Sequence, residues 1–233
     1  DDRIEAFGGD FVESGQGRLP GELGVDAEVF AQRQVGEHVL RQADEETIHV
    51  CGREAGLLKR DELSLEYWER VRALRPRDAA TALTVAHRRA ERGEHREAVA
   101  LVEKAIEIDP DRAPAWFNLG FLLQELEEHD DALRAFDRAI DLDPKLDRAW
   151  YGKALSLVKL GRVEEAIEPL KKNTELQPLS PYGYYQLAHA WNRLGKRQNA
   201  IATIRKLSTF EPKVAKQLER ELGVDAGIPD PYA

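Results

Sequence analysis

The chain has 233 residues, 42% apolar and 33% charged, with 43 acidic residues against 34 basic ones and a net charge of -9. That acidic balance argues against a nucleic-acid backbone as the main partner, which needs a basic surface, and no apolar run reaches the roughly 18 residues of a membrane span. The single cysteine, Cys51, excludes an internal disulfide and reads as a small buried side chain, and the absence of any methionine is what an excised or processed piece would be expected to show.

Residues 1–23, with Phe7-Gly8-Gly9 and a second glycine-rich stretch from Gly15 to Gly21, lack helical rhythm and read as an irregular leader. The start of the chain has neither the basic region nor the apolar middle of a signal peptide. The glycine run has no strand before it and no Lys-Ser/Thr ending, so it does not form a phosphate-binding loop. Residues 25–42 predict a helix with Val29, Phe30, Val35, Val39 and Leu40 on its apolar side, placed to seal the N-terminal end of the helices after it. Residues 24–78 thus comprise a capping helix and a degenerate helix pair. The first helix of the pair carries Ile48, Cys51, Gly52 and Ala55, the second Leu65, Trp68, Val71 and Leu74, and Pro76 closes it.

From residue 79 the chain repeats itself. Ala82, Trp116, Trp150 and Tyr184 are spaced by 34 residues, as are the small residues Ala86, Gly120, Ala154 and Ala188. The same interval separates Ala98, Ala132, Ala166 and Ala200, then Val102, Phe136, Leu170 and Ile204, and finally Pro110, Pro144, Pro178 and Pro212. An uninterrupted period of this length predicts a solenoid. Within 113–126 the apolar residues step by three and four, and 129–140 repeats the rhythm, so each unit is two helices joined by a polar turn. Gly93, Gly161 and Gly195 occupy that turn, where glycine takes a left-handed conformation. Asp78 and Ser180-Pro181 predict helix starts. Residues 214–222 predict a capping helix, ended by Gly223, with a loose tail beyond it.

These residues resemble the tetratricopeptide repeat family. Residues 113–146 carry the family's pattern as Trp116, Leu119, Gly120, Ala132, Phe136, Ala139 and Pro144. Two positions depart from it: Lys153 replaces the apolar residue of Leu119, and Asn173 the small residue of Ala139. The expected fold is all-α, a right-handed superhelical solenoid of antiparallel helix pairs. Four regular repeats (79–112, 113–146, 147–180 and 181–214) succeed the degenerate one, and 215–233 forms a C-terminal capping helix and tail.

The first helix of each repeat is expected to line an inner groove. One helical turn from the packed stripe, that groove receives Leu83, Thr84 and His87; Phe117, Asn118, Phe121 and Gln124; Arg148, Tyr151, Leu155 and Val158; and Tyr182, Tyr185, Gln186, His189, Asn192 and Arg193. On this reading Trp116 and Trp150 belong to the core, so Trp150→Ala costs about 3–5 kcal/mol, whereas Phe117 and Tyr151 matter for capture only. Asn118 and Asn192 can pair with the backbone of a bound segment. Some family members clamp a chaperone's C-terminal carboxylate with lysines, arginines and asparagines. Only Asn118 and Arg148 suit that here, while Leu83 and His87 do not, so a segment with apolar side chains, extended or helical, fits better.

The six histidines show no zinc-ligand spacing, and no reactive constellation suggests itself, so no cofactor, metal or catalysis is expected. The basic excess of the last repeat (Lys196, Arg197, Arg205, Lys206) reads as solubilising surface. The overall expectation is a non-enzymatic adaptor for a protein or peptide partner. It would be cytoplasmic, or periplasmic if a leader has been removed. The alternative is the recognition arm of a larger enzyme such as a transferase.

Overall fold

The computed structural model describes residues 61–229. The leader, the helix expected at 25–42, the first helix of the degenerate repeat and the last four residues lie outside the described residues. Within them the chain forms ten α-helices: α1 (Asp61–Leu74), α2 (Ala79–Glu91), α3 (His95–Ile108), α4 (Ala113–Glu125), α5 (His129–Leu142), α6 (Asp147–Lys159), α7 (Val163–Leu176), α8 (Pro181–Arg193), α9 (Arg197–Ser208) and α10 (Pro212–Leu222). The helices α2, α4, α6 and α8 start at 79, 113, 147 and 181, and α3, α5, α7 and α9 start at 95, 129, 163 and 197. Both series advance by the 34-residue period of the sequence. None of these helices is long and apolar enough to cross a membrane.

The described residues fall into two compact units, 61–126 with α1–α4 and 127–229 with α5–α10. In the first unit each helix packs on the next in sequence. Val71, Val85, Ala86, Ala98, Val102, Ala105 and Leu122 are fully buried, as the three-and-four spacing requires. Asp78 caps α2 by accepting from the Ala80 amide at 3.0 Å, satisfying one of the amides a helix start leaves without a partner. A partly exposed ion network ties α1 to α2 and the turn after it. Glu69 accepts from Arg89 Nη2 at 2.6 Å and from Arg72 Nε at 2.8 Å, and Arg89 reaches Glu94 at 2.8 Å. Burial alone would raise the Glu69 carboxyl, but the two guanidinium groups outweigh it and hold it below the usual range.

In the second unit α5 packs on α6, α6 on α7, α7 on α8, α8 on α9 and α9 on α10. One core cluster joins Leu133, Tyr151, Ala154, Leu157, Ala166, Leu170, Leu187 and Trp191. A second joins Tyr184, Ala188, Ile204, Leu207, Ala215 and Leu218. The small residues of the repeat, Ala154, Ala166, Ala188 and Ala200, are fully buried, which is what close helix crossing demands. Gly93, Gly161 and Gly195 end their helices at φ 77°, 77° and 69°, while in the equivalent turn Glu127 adopts φ 61°, a conformation that costs a residue with a Cβ roughly 1–2 kcal/mol.

The large aromatic of each repeat has a second task that its spacing did not reveal. Trp116 Nε1 donates to Pro110 O at 2.8 Å, Trp150 Nε1 to Pro144 O at 2.9 Å, and Tyr184 Oη to Pro178 O at 3.3 Å. Each ring therefore holds the carbonyl of the proline closing the preceding repeat, six residues back. This changes the expected core. Trp116 and Trp150 are only partly buried, whereas Tyr184, which makes the same kind of bond, is 1% exposed.

The two departures from the family pattern are both accommodated. Lys153 Nζ pairs with Asp137 Oδ1 at 2.5 Å, joining α6 to α5. Asn173 is 5% exposed and its Nδ2 donates to Asp147 O at 3.0 Å. Its Oδ1 occupies the space that a Cβ at Gly183 would enter. One period earlier the same two places are Ala139 and Ala149, both fully buried. The larger Asn173 is matched by the smaller Gly183.

The C-terminal segment is not the loose tail that its prolines suggest, at least as far as residue 229. Gly223 ends α10 at φ 60°, and Val224, Ala226 and Ile228 are buried against the second cluster. Glu219, itself buried, accepts from Lys216 Nζ at 2.6 Å and from the Ala226 amide at 2.7 Å. Arg197 and Arg205 donate to Gly223 O and Ala226 O. Two of the four basic residues expected to be solubilising surface thus fasten this strap. The other two, Lys196 and Lys206, lie over the rings of Trp191 and Tyr184 at 5.3 Å each.

Candidate functional site

The expected groove residues divide between the two units. In the first unit, Leu83 and Phe117 are each 2% exposed and Asn118 is fully buried, whereas His87, Phe121 and Gln124 are partly exposed. An open wall at Leu83, Phe117 and Asn118 is therefore not what this unit presents. Its accessible inner positions lie nearer the C-terminal ends of α2 and α4.

In the second unit Tyr151 is 4% exposed and belongs to the core cluster of α6, α7 and α8. Reading it as a groove residue placed it one step out of register with the buried stripe, and Trp150 takes the more exposed place. Burial pushes the Tyr151 hydroxyl up to about 12, against the opposing effect of a hydrogen bond from Gln186 of α8. Leu155 and Val158 are partly buried against the same cluster, and Arg148 is partly exposed at the start of α6.

The helix α8 supplies most of what remains accessible. Tyr184, Leu187, Ala188 and Trp191 are buried on one side. Tyr182 is 46% exposed, Arg193 is exposed, and Tyr185, Gln186, His189 and Asn192 are partly exposed on the other. The Tyr185 and His189 rings stand 4.6 Å apart, and Tyr185 Oη donates to Glu221 Oε2 of α10 at 2.7 Å. Glu221 also accepts from Gln217 at 2.7 Å and lies 3.5 Å from His189 Nε2. Burial would raise the Glu221 carboxyl, but the Tyr185 and Gln217 bonds outweigh it and lower it. The capping helix thus pins Tyr185 and leaves aromatic rings and amides along the accessible side of α8.

An open depression of about 470 Å³ lies among α5, α6 and α7. Trp150, Leu133 and Leu157 line it, with the ion pairs Lys153–Asp137 and Arg162–Glu165 at 2.5 and 2.6 Å. Its charges largely satisfy one another. Among the described residues no group of histidine, cysteine and acidic side chains is arranged to hold a metal ion.

Comparison with known proteins agrees with the geometry. Residues 89–154 match a family model described as tetratricopeptide repeat, and residues 147–178 match a second model of the same description. No curated protein matches the chain. Among solved structures, MamA is 23% identical, with 74% of this chain and 94% of that one covered and a TM-score of 0.67. MamA residues 41 to the end from Desulfovibrio magneticus RS-1 is 19% identical over 76% of this chain and 96% of that one, with a TM-score of 0.66. YrrB, described as a TPR protein with an unusual peptide-binding site, is 19% identical over 84% of this chain and all of that one, with a TM-score of 0.64. Identities this low speak to fold alone, and the fold, the period and the matched models together show that residues 89–178 carry tetratricopeptide repeats within an all-helical stack of helix pairs.

Proposed function

We propose that this chain is a non-enzymatic adaptor whose α6–α8 face holds a segment of another protein, extended or helical, through apolar side chains. The observation that carries the reading is the division of α8, where one stripe is wholly buried while Tyr182, Tyr185, Gln186, His189, Asn192 and Arg193 remain on the accessible side. An accessible aromatic stripe on a protein surface is the usual mark of an interaction site. Gln186 and Asn192 add amide groups that can both donate to and accept from a peptide backbone. YrrB, which shares the fold, is described as having a peptide-binding site, and the net charge of -9 favours a protein over a nucleic acid as the partner.

The test is capture of partners by the full chain, compared with a Tyr182→Ala/His189→Ala variant and a Lys153→Ala variant, and then affinity measurement on a defined segment of the captured protein. Substituting two residues of an interface core should weaken binding by about tenfold or more, with helicity unchanged. Lys153→Ala, in the depression among α5, α6 and α7, should bind as wild type. Equal binding by the α8 variant would overturn the assignment.

A further inference from the structure

Residues 224–228 are held the way a bound peptide is held. Val224, Ala226 and Ile228 are buried at alternate positions, and charged side chains grip the main chain around them. Glu219 Oε1 accepts from the Ala226 amide at 2.7 Å and from the Ile228 amide at 3.5 Å. Lys216 Nζ donates to Ile228 O, and Arg197 and Arg205 donate to Gly223 O and Ala226 O, at 2.9 Å each. Glu219 is the latch. It is 6% exposed, and its second oxygen accepts from Lys216 Nζ at 2.6 Å, so one buried carboxylate binds the strap directly and also positions the lysine that binds Ile228 O. The same turn of α10 serves the candidate face, where Glu221 accepts from Tyr185 Oη at 2.7 Å and stands 3.5 Å from His189 Nε2. The last turn of a helix lacks intrahelical partners for its carbonyls. Here the Gly223 and Val224 amides supply them, reaching Arg220 O and Glu219 O at 3.2 Å each, so the residues that begin the strap also cap the turn that carries Glu221.

We infer that the segment 224–228 is a strap that controls the candidate face. Closed, it keeps the last turn of α10 helical, so that Glu221 holds the Tyr185 hydroxyl beside His189; open, that turn unwinds and Tyr185 loses the hold. A short segment outside any helix opens more readily than the helices it covers, so the strap moves while the helix pairs stay folded. This rests on the reading of α8 as a binding face and adds its control. A partner that meets the closed form finds Tyr185 already fixed, whereas in the open form the ring must be ordered on binding. Apparent affinity then falls with the fraction of chains that are closed.

The experiment uses the full chain at neutral pH and reads two NMR signals, hydrogen exchange at the Ala226 and Ile228 amides and the carboxyl carbon of Glu221. Tyr185→Phe gives the Glu221 position without the bond. Glu219→Gln removes the charge that the strap amides and Lys216 share, and Ile228→Ser loosens the strap without touching α10. Both variants should speed exchange at the strap and move the Glu221 signal most of the way to its Tyr185→Phe position, with helicity unchanged. Leu133→Ala, a cavity in the other core cluster, should leave that signal in place, which separates the strap from general loss of stability. A Glu221 signal that stays put while the strap amides exchange faster overturns the inference, as does unchanged strap exchange in Glu219→Gln. Affinity for a defined partner segment is read separately: Glu219→Gln should weaken it several-fold, and should weaken it no further in a Tyr185→Phe background. A Glu221 shift in a chain whose α8 binds nothing would defeat the adaptor reading alone, whereas binding at α8 that is equal in wild type and Glu219→Gln would defeat the control by the strap alone.

Discussion

Replacing Gly183 with alanine tests the packing logic of the repeats at a single contact. The new Cβ would collide with Asn173 Oδ1 and stand 3.0 Å from Thr174 Cγ2, where ordinary contact begins near 3.4 Å. Asn173 cannot simply swing aside, because it is 5% exposed and its amide is bonded to Asp147 O at 3.0 Å. Overpacking of this kind costs about 1–3 kcal/mol, and the better helix propensity of alanine returns up to about 1 kcal/mol. A net loss of about 1–2 kcal/mol is expected. Asn173→Ala alone loses a hydrogen bond worth about 1 kcal/mol and leaves a void beside Gly183. The double substitution recreates the alanine pair that the preceding repeat uses at Ala139 and Ala149, so it should lie close to wild type. The expected coupling, about 2 kcal/mol, is within the range of about 0.5–3 kcal/mol found for residues in contact. Urea unfolding monitored by helical circular dichroism measures all four corners of the cycle. Additive losses would show that the Asn173–Gly183 match is incidental.

Further outcomes are expected at single residues. Tyr151→Ala should cost about 3–5 kcal/mol, as expected for a buried aromatic, and more than Trp150→Ala, whose ring is only partly buried; denaturant midpoints of the two variants check the order. The Tyr151 hydroxyl has its folded-state value raised from 10.0 to about 12. The stability it contributes is complete below pH 10 and is lost as pH rises toward 12, so Tyr151→Phe should flatten the alkaline limb of a melting-temperature profile. Burial would raise the Glu219 carboxyl, but Lys216 and the Ala226 and Ile228 amides outweigh it and lower it from 4.5. Its contribution is therefore complete above pH 4.5 and lost as pH falls through the lower folded value. Glu219→Gln should reduce that acid dependence and speed hydrogen exchange at Ala226 and Ile228. Glu127→Gly should stabilise the chain by about 1 kcal/mol, because glycine removes the left-handed strain at φ 61°, and a thermal melt reads it directly.

The helix boundaries were legible in the sequence because the residues that set them act locally. Gly93, Gly161 and Gly195 terminate helices through their own backbone, and Asp78 begins one through its own side chain. Ser180 stands at the expected start of α8, yet its side chain makes no capping bond. The buried alanines were legible for a related reason, since close crossing admits only small residues wherever the period places them. What the sequence hid depends on contacts between elements. Trp150 and Tyr151 are adjacent and both aromatic, and the one that enters the core is Tyr151, packed with residues of α7 and α8, while the Trp150 indole bonds Pro144 O. Asn173 looks like a defect until Gly183 is seen opposite it. The segment 224–228 carries no helical rhythm at all and is held instead by Glu219, Arg197 and Arg205, whose reach no spacing rule expresses. The accessible positions of α8 follow from counting helical turns, whereas Leu83, Phe117, Asn118 and Tyr151 were assigned an exposure they do not have.

The claim on which the functional account turns is that α8, together with α6, receives a protein segment. Amide shift mapping of the full chain against a defined segment of a captured partner measures this residue by residue. The account predicts that the largest shifts fall on Tyr182, Tyr185, Gln186, His189 and Asn192 and disappear in Tyr182→Ala/His189→Ala. Shifts gathered instead around Trp150, Lys153 and Leu133, with α8 silent, would contradict it.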